Sequence, residues 1–184
     1  MPRLNLISKE SLPPSQQHLY EEIAAQRGHV APPFAALLNS PEIATKVAAL
    51  GEHLRYTSSI VSAEIREIVT LTTANYFNCQ YIYTHHVTSA RQAGVRDQVI
   101  EVIANGDVPR KLLPKEGVFV QFTRELLKEK SMRDSTFAAV NHLLGANGTI
   151  DLITTIGYYA MQCLVVNAVG IELEEGVEPL LLST

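Results

Sequence analysis

Tryptophan is absent from this 184-residue chain and cysteine occurs only twice. Cys79 and Cys163, 84 positions apart, cannot staple a disulfide scaffold, which needs several bridges, so a reducing, cytoplasmic setting is expected. Positive charge is also scarce: 15 Lys and Arg stand against 19 Asp and Glu, a net charge of −4, and the cations are scattered rather than banked on one face. A phosphate-tracking surface needs such a bank, so nucleic acid is not an expected partner. No Pro/Gly/Ser-rich linker or low-complexity tract divides the chain, and one domain over residues 1–184 is expected, with its core motif at 62–106. The opening stretch MPRLNLISKESLPPSQQ lacks the uninterrupted apolar run of a secretory signal.

What is present is a chain able to fold: apolar residues make up 46% and charged residues 18%, far from the signature of disorder. Leu152 to Ile171 is charge-free and about as long as the roughly 20 residues a bilayer requires. Thr154, Thr155, Gln162 and Asn167 interrupt it, Asp151 and Glu172 close its ends, and no basic flank follows. Burial in a core or a subunit interface is therefore expected rather than a membrane span.

Helical punctuation recurs along the chain. Ser15 precedes QQHLYEEIAAQ, which runs to Gln26, and Ser40-Pro41-Glu42 precedes IATKVAALGEHLRY, each with the chemistry of a capped start. Ser62 precedes AEIREIVTLTTANYF, where Ile65, Ile68, Val69, Thr72 and Tyr76 recur at spacings of three and four. Asn78 is placed to cap the next helix, which ends at Gly94. Gln98 to Ala104, Lys115 to Lys130, Asp134 to Leu144 and Thr149 to Gly170 complete an all-α reading. A faint echo lays EIVTLTTANYFNC (67–79) over DLITTIGYYAMQC (151–163), cysteine on cysteine, as a duplicated hairpin or as two apolar helices that each begin with an acid.

The stretch NCQYIYTHHVTSARQAG carries the candidate chemistry. On a helix starting at Asn78, Cys79, Ile82, Tyr83, His86 and Ala90 share one side. The first turn of a helix favours a thiolate at Cys79, and Glu67 on the preceding helix can face back toward His86 to orient it or exchange protons with it. A cysteine on an apolar helical face is, however, more often a small buried hydrophobe, and Tyr81 and Tyr83 also read as packing residues. Glu67, His85, His86 and His142 supply metal donors, but adjacent histidines diverge by about 100° on a helix and no zinc spacing is present, so no metal is expected.

Taken together, Arg66-Glu67-Ile68, Cys79, His86-Val87, Ala90-Arg91 and Ala93-Gly94-Val95 resemble the carboxymuconolactone decarboxylase and alkylhydroperoxidase D-like proteins, and PPFAALLNSPEI, FTRELL, DSTFAAV and IGYYAMQCLVVNAVGIEL extend the likeness over most of the chain. The resemblance implies an all-α bundle of packed helical hairpins assembled as a homo-oligomer, a trimer or hexamer. It also implies a site made by Glu67, Cys79 and His86, with Tyr81, Ile82, Tyr83 and His85 contacting substrate. The family's C-x-x-C pair would put its second cysteine at position 82, where this chain has Ile82. The implied activity is a lyase or isomerase acting on a small carboxylated or lactone-type molecule without cofactor. The alternatives are a thiol peroxidase using Cys79 with an external resolving thiol, and a non-catalytic scaffold. Cys163 would resolve Cys79 only if the fold brings the two together.

Overall fold

The computed structural model describes residues 1–25, 27–58, 60–129 and 131–181, which form two compact units, Met1–Ser58 with Leu164–Glu172 and Ser59–Cys163 with Leu173–Thr184. Every regular element among them is helical, as the pattern of capped, helix-period segments predicts. Gln26 and Lys130, where two of the expected helices end, lie outside the described residues.

The first unit holds α1 (Gln17–Ala25), α2 (Pro32–Leu37) and α3 (Pro41–Glu52). Proline opens α2 and α3, where its fixed φ suits the first turn and its missing N–H leaves no bond unmade. Leu12, Ile23, Phe34, Leu38, Ala44 and Ala48 form the core, the alanines allowing close approach of α1 to α3. Arg27 closes the end: its Nη2 donates to the Ala48 carbonyl at 2.8 Å while the guanidinium lies over the Phe34 ring. Two expected caps do not form. Ser15 sits inside a short 3-10 turn, Pro14–Gln16. Ser40 precedes α3 with ψ 84°, short of the extended geometry that aims a capping oxygen along the helix.

The second unit is built around α4 (Ala63–Tyr76), with α5 (Gln80–Gln92), α6 (Asp97–Ala104) and α7 (Pro114–Arg124) packed on it. Ser62 caps α4 as expected, accepting from the Ile65 amide at 3.3 Å. The single apolar face read from the sequence does not describe α4: every residue from Arg66 to Ala74 is buried while Tyr76 is exposed. A helix covered from several sides has no solvent face, so amphipathic spacing underestimates its burial. Its threonines tolerate this because each hydroxyl bonds back along the helix, Thr70 to the Arg66 carbonyl, Thr72 to Ile68 and Thr73 to Val69, at 2.7–2.8 Å.

Buried carboxylates fasten the helix ends. Glu116 at the start of α7 receives two hydrogen bonds from Arg96, at 2.6 and 2.8 Å, and one from the Leu113 amide at 3.0 Å. Glu125, just past α7, accepts from Gln121, Arg133 and Thr136. The last helix, α8 (Asp134–Val169), breaks at Gly145, whose φ of 67° and ψ of 176° only glycine adopts without strain. The break falls between the two helices expected at this point. Among the described residues α8 is the one helix long and apolar enough to cross a membrane, and half of that apolar window is buried inside the protein.

Candidate active site

The turn between α4 and α5 decides where the chemistry sits. Asn78 takes a positive φ of 47°, so it does not cap α5; Cys79 occupies the N-cap position instead. The Cys79 amide donates to Ala74 at 2.8 Å, pinning the cysteine against the end of α4. From there α5 runs back along α4. This brings His86, two turns on, level with Glu67 near the start of α4.

Glu67 and His86 meet as the sequence suggests. Nδ1 of His86 lies 2.6 Å from Oε2 of Glu67, with the carboxylate side chain 3% exposed and the imidazole 15%. An ionised carboxylate only accepts, so Nδ1 carries the proton and Nε2 is left as the exchanging nitrogen. Tyr159 of α8 packs edge-on against the imidazole, ring centroids 5.0 Å apart, and limits its rotation.

Cys79 has a different partner. Its thiol is fully buried, as is that of Cys163 on α8, the group that most influences it, and both are free thiols. The contact with Cys163 holds the Cys79 thiol below its ordinary value against the opposing effect of burial, and the Ile82 amide pulls in the same direction. The same contact, with burial, pushes the Cys163 thiol up. Tyr159 and Cys163 are one helical turn apart on α8, and the Tyr159 end meets His86.

The other candidates spread around this seam. Ile82 is buried one turn after Cys79. The Tyr83 hydroxyl donates to the Ile100 carbonyl at 3.1 Å, toward α6, and burial pushes its pKa up to about 12. Tyr81 and His85 both engage Glu174 in the C-terminal segment, at 3.0 and 2.9 Å. Burial, followed by the charge of Glu174, raises the Tyr81 phenol. His142 is exposed on α8, and among the described residues no group of three His, Cys, Asp or Glu side chains is placed to hold a metal.

Sequence reasoning did not single out Tyr159 or Glu174. Tyr159 had a faint signal in its i, i+4 spacing to Cys163 within the charge-free run. Glu174 had none, because a loop acid carries no periodicity. The 67–79/151–163 echo is not a repeated hairpin: the first copy ends α4 and turns, whereas the second lies wholly inside α8.

The model of the carboxymuconolactone decarboxylase family matches residues 41–125. The match takes in Glu67, Cys79 and His86 and stops short of Tyr159 and Cys163, so the α8 side of the seam lies outside the matched residues. Two solved structures share the fold over nearly the whole chain. The alkylhydroperoxidase AhpD core of a peroxidase-related protein from Ralstonia eutropha JMP134 superposes with a TM-score of 0.78 at 16% identity, covering 95% of this chain and 93% of that one. A peroxidase-related protein from Silicibacter sp. TM1040 superposes with a TM-score of 0.74 at 18% identity, covering 96% and 93%. The all-α fold is thus the AhpD-like one. No curated protein matches the sequence at a significant level.

Proposed function

We propose that the protein is a cofactor-independent lyase or isomerase acting on a small carboxylated or lactone-type molecule. His86 is its general acid/base and Glu67 the group that orients it. The observation that carries this reading is the 2.6 Å hydrogen bond between a buried carboxylate and a partly exposed imidazole. Glu67 fixes the tautomer and stabilises the imidazolium, which forms when Nε2 takes a proton from carbon in an isomerisation, or from solvent ahead of a decarboxylation in which the carboxylate leaves as carbon dioxide and its bonding pair stays on the enolate. The same imidazolium returns that proton to an enolate or dienolate at the same or a neighbouring carbon. Ile82 and Tyr83 give the surroundings an apolar character in which a developing anion feels nearby donors strongly.

The reading is tested by screening β-keto acids and carboxylated lactones for carbon dioxide release or solvent deuterium uptake. His86→Gln lowers the rate about 100-fold or more, within the span general acid–base catalysis supplies. A rate unchanged in His86→Gln overturns the assignment.

A second reading is a thiol peroxidase using Cys79 with an external resolving thiol: Cys79 stands at the N-cap of α5, and the two structural neighbours are themselves described as peroxidase-related. Peroxide consumption with a thiol reductant, abolished in Cys79→Ser, is its expected result. We further place the protein in a reducing, cytoplasmic setting, on its two free thiols. We also propose a homo-oligomeric state, a trimer or hexamer: Phe137, Leu143, Ile150 and Leu164 on α8 are all exposed. Sedimentation giving a monomer contradicts the assembly.

A further inference from the structure

A cleft in the second unit lies apart from the Glu67–His86 pair. Its floor is made by Ile68 of α4 and Phe119 of α7, both buried, and its walls by Ile65, Leu143 and Leu144, with Leu143 exposed at the edge. Gly148 sets one wall: a Cβ there would lie 2.8 Å from the Leu144 Cβ, so the glycine is what lets Leu144 sit where it does. The space measures about 160 Å³, the size of cavity that takes a benzene ring, so an apolar group of about six carbons fills it. Ile68 follows Glu67 on α4 and points about 100° away from it, which puts the cleft and the acid–base pair on different sides of that helix.

The mouth carries one charge of each sign. Glu64, half-buried in the first turn of α4, and Lys115, exposed in the first turn of α7, both line the cleft. Among the described residues neither side chain enters an ion pair or a hydrogen bond. The acid next to Lys115 is already matched, since Glu116 receives two hydrogen bonds from Arg96 at 2.6 and 2.8 Å. A plain carboxylate on Lys115 would be repelled by Glu64, and a plain amine on Glu64 by Lys115. A molecule that carries both charges on one carbon satisfies both.

We propose that this cleft binds a free hydrophobic α-amino acid of the size of leucine, with its side chain between Phe119, Ile68 and Leu143, its carboxylate on Lys115 and its ammonium on Glu64. The site is separate from the acid–base centre and stands whether or not that centre is catalytic. With about nine non-hydrogen atoms and charge pairs open to water, the ligand binds with a Kd of about 1 mM.

The test is a titration of the full-length protein, labelled at its isoleucine and leucine methyls, with L-leucine to well above the expected Kd, followed by NMR. The expected result is saturable shifts at Ile65, Ile68, Leu143 and Leu144, and none with glycine, which lacks the apolar group. Isocaproate, which lacks the ammonium, and isoamylamine, which lacks the carboxylate, each bind at least about threefold more weakly, and so does leucine to Lys115→Met and to Glu64→Gln. The analogue titrations use the wild type and stand by themselves if a variant folds poorly. Isocaproate or isoamylamine binding as tightly as leucine overturns the amino-acid assignment. Absence of saturable shifts at the four residues, or shifts centred on other methyls, overturns the site. Signals that change only with protein concentration place a second copy of the chain in the cleft and overturn it too.

Discussion

Replacing Glu67 by Gln keeps the size of the side chain and removes its charge, so it tests the hydrogen bond on which the acid–base assignment stands. The pair spans 2.6 Å with side-chain exposures of 3% and 15%, well outside the range where water and salt cancel a surface ion pair. A charge-assisted bond of this kind contributes about 1.5–3 kcal/mol. A double-mutant cycle through Glu67→Gln, His86→Gln and the double variant, followed by urea unfolding at fixed protein concentration, isolates the coupling. About 2 kcal/mol is expected. With a urea slope of about 2 kcal/mol/M, that is a shift of about 1 M in the midpoint. His86→Gln alone should cost somewhat more, about 3 kcal/mol, because the carboxylate left behind is buried. Long-range ¹H–¹⁵N spectra should show His86 protonated at Nδ1 in the wild type and a mixture of tautomers in Glu67→Gln. A coupling under about 0.5 kcal/mol, or an Nε2–H tautomer in the wild type, would refute the orientation assigned to His86.

The Arg96 hydrogen bonds hold the Glu116 carboxyl below its ordinary value of 4.5. Its stabilisation is therefore present above the unfolded-state pKa and lost as pH falls through the folded one. Arg96 is 42% exposed, so Glu116→Gln costs only about 1–2 kcal/mol at neutral pH. That gap should close on acidification below about pH 4.5 in thermal unfolding, and a gap constant with pH contradicts the linkage. A Cβ at Gly148 would lie 2.8 Å from both Ile60 and Leu144, whereas one at Gly157 meets nothing within 4 Å. Gly148→Ala should destabilise by about 1–3 kcal/mol and Gly157→Ala stabilise by about 0.5–1 kcal/mol; calorimetry giving both the same sign would contradict the packing. Tyr81→Phe removes the 3.0 Å bond to Glu174. Amide exchange in residues 173–181 should quicken, and unchanged protection would show that Tyr81 does not anchor that segment.

Much of this protein was legible in its residues because the signals were local. Ser62 caps α4 and Gly94 ends α5 with φ 90°, since capping and left-handed glycine depend only on the few neighbouring peptides. Gly145 breaks the last helix between the segments expected to end at Leu144 and resume at Thr149, for the same reason. Glu67 and His86 meet because the short turn after α4 forces an antiparallel return, which their spacing allows. Tertiary structure decided the rest. Amphipathic spacing does not reveal that α4 is covered on several sides and buries its threonines. A loop acid such as Glu174 has no period by which to be noticed. Tyr159 reaches His86 through the placement of α8, a relation between helices that no count along the chain contains. Sequence set the helices and the meeting of Glu67 with His86; the packing of α8 alone decided that Tyr159 lies edge-on against that imidazole.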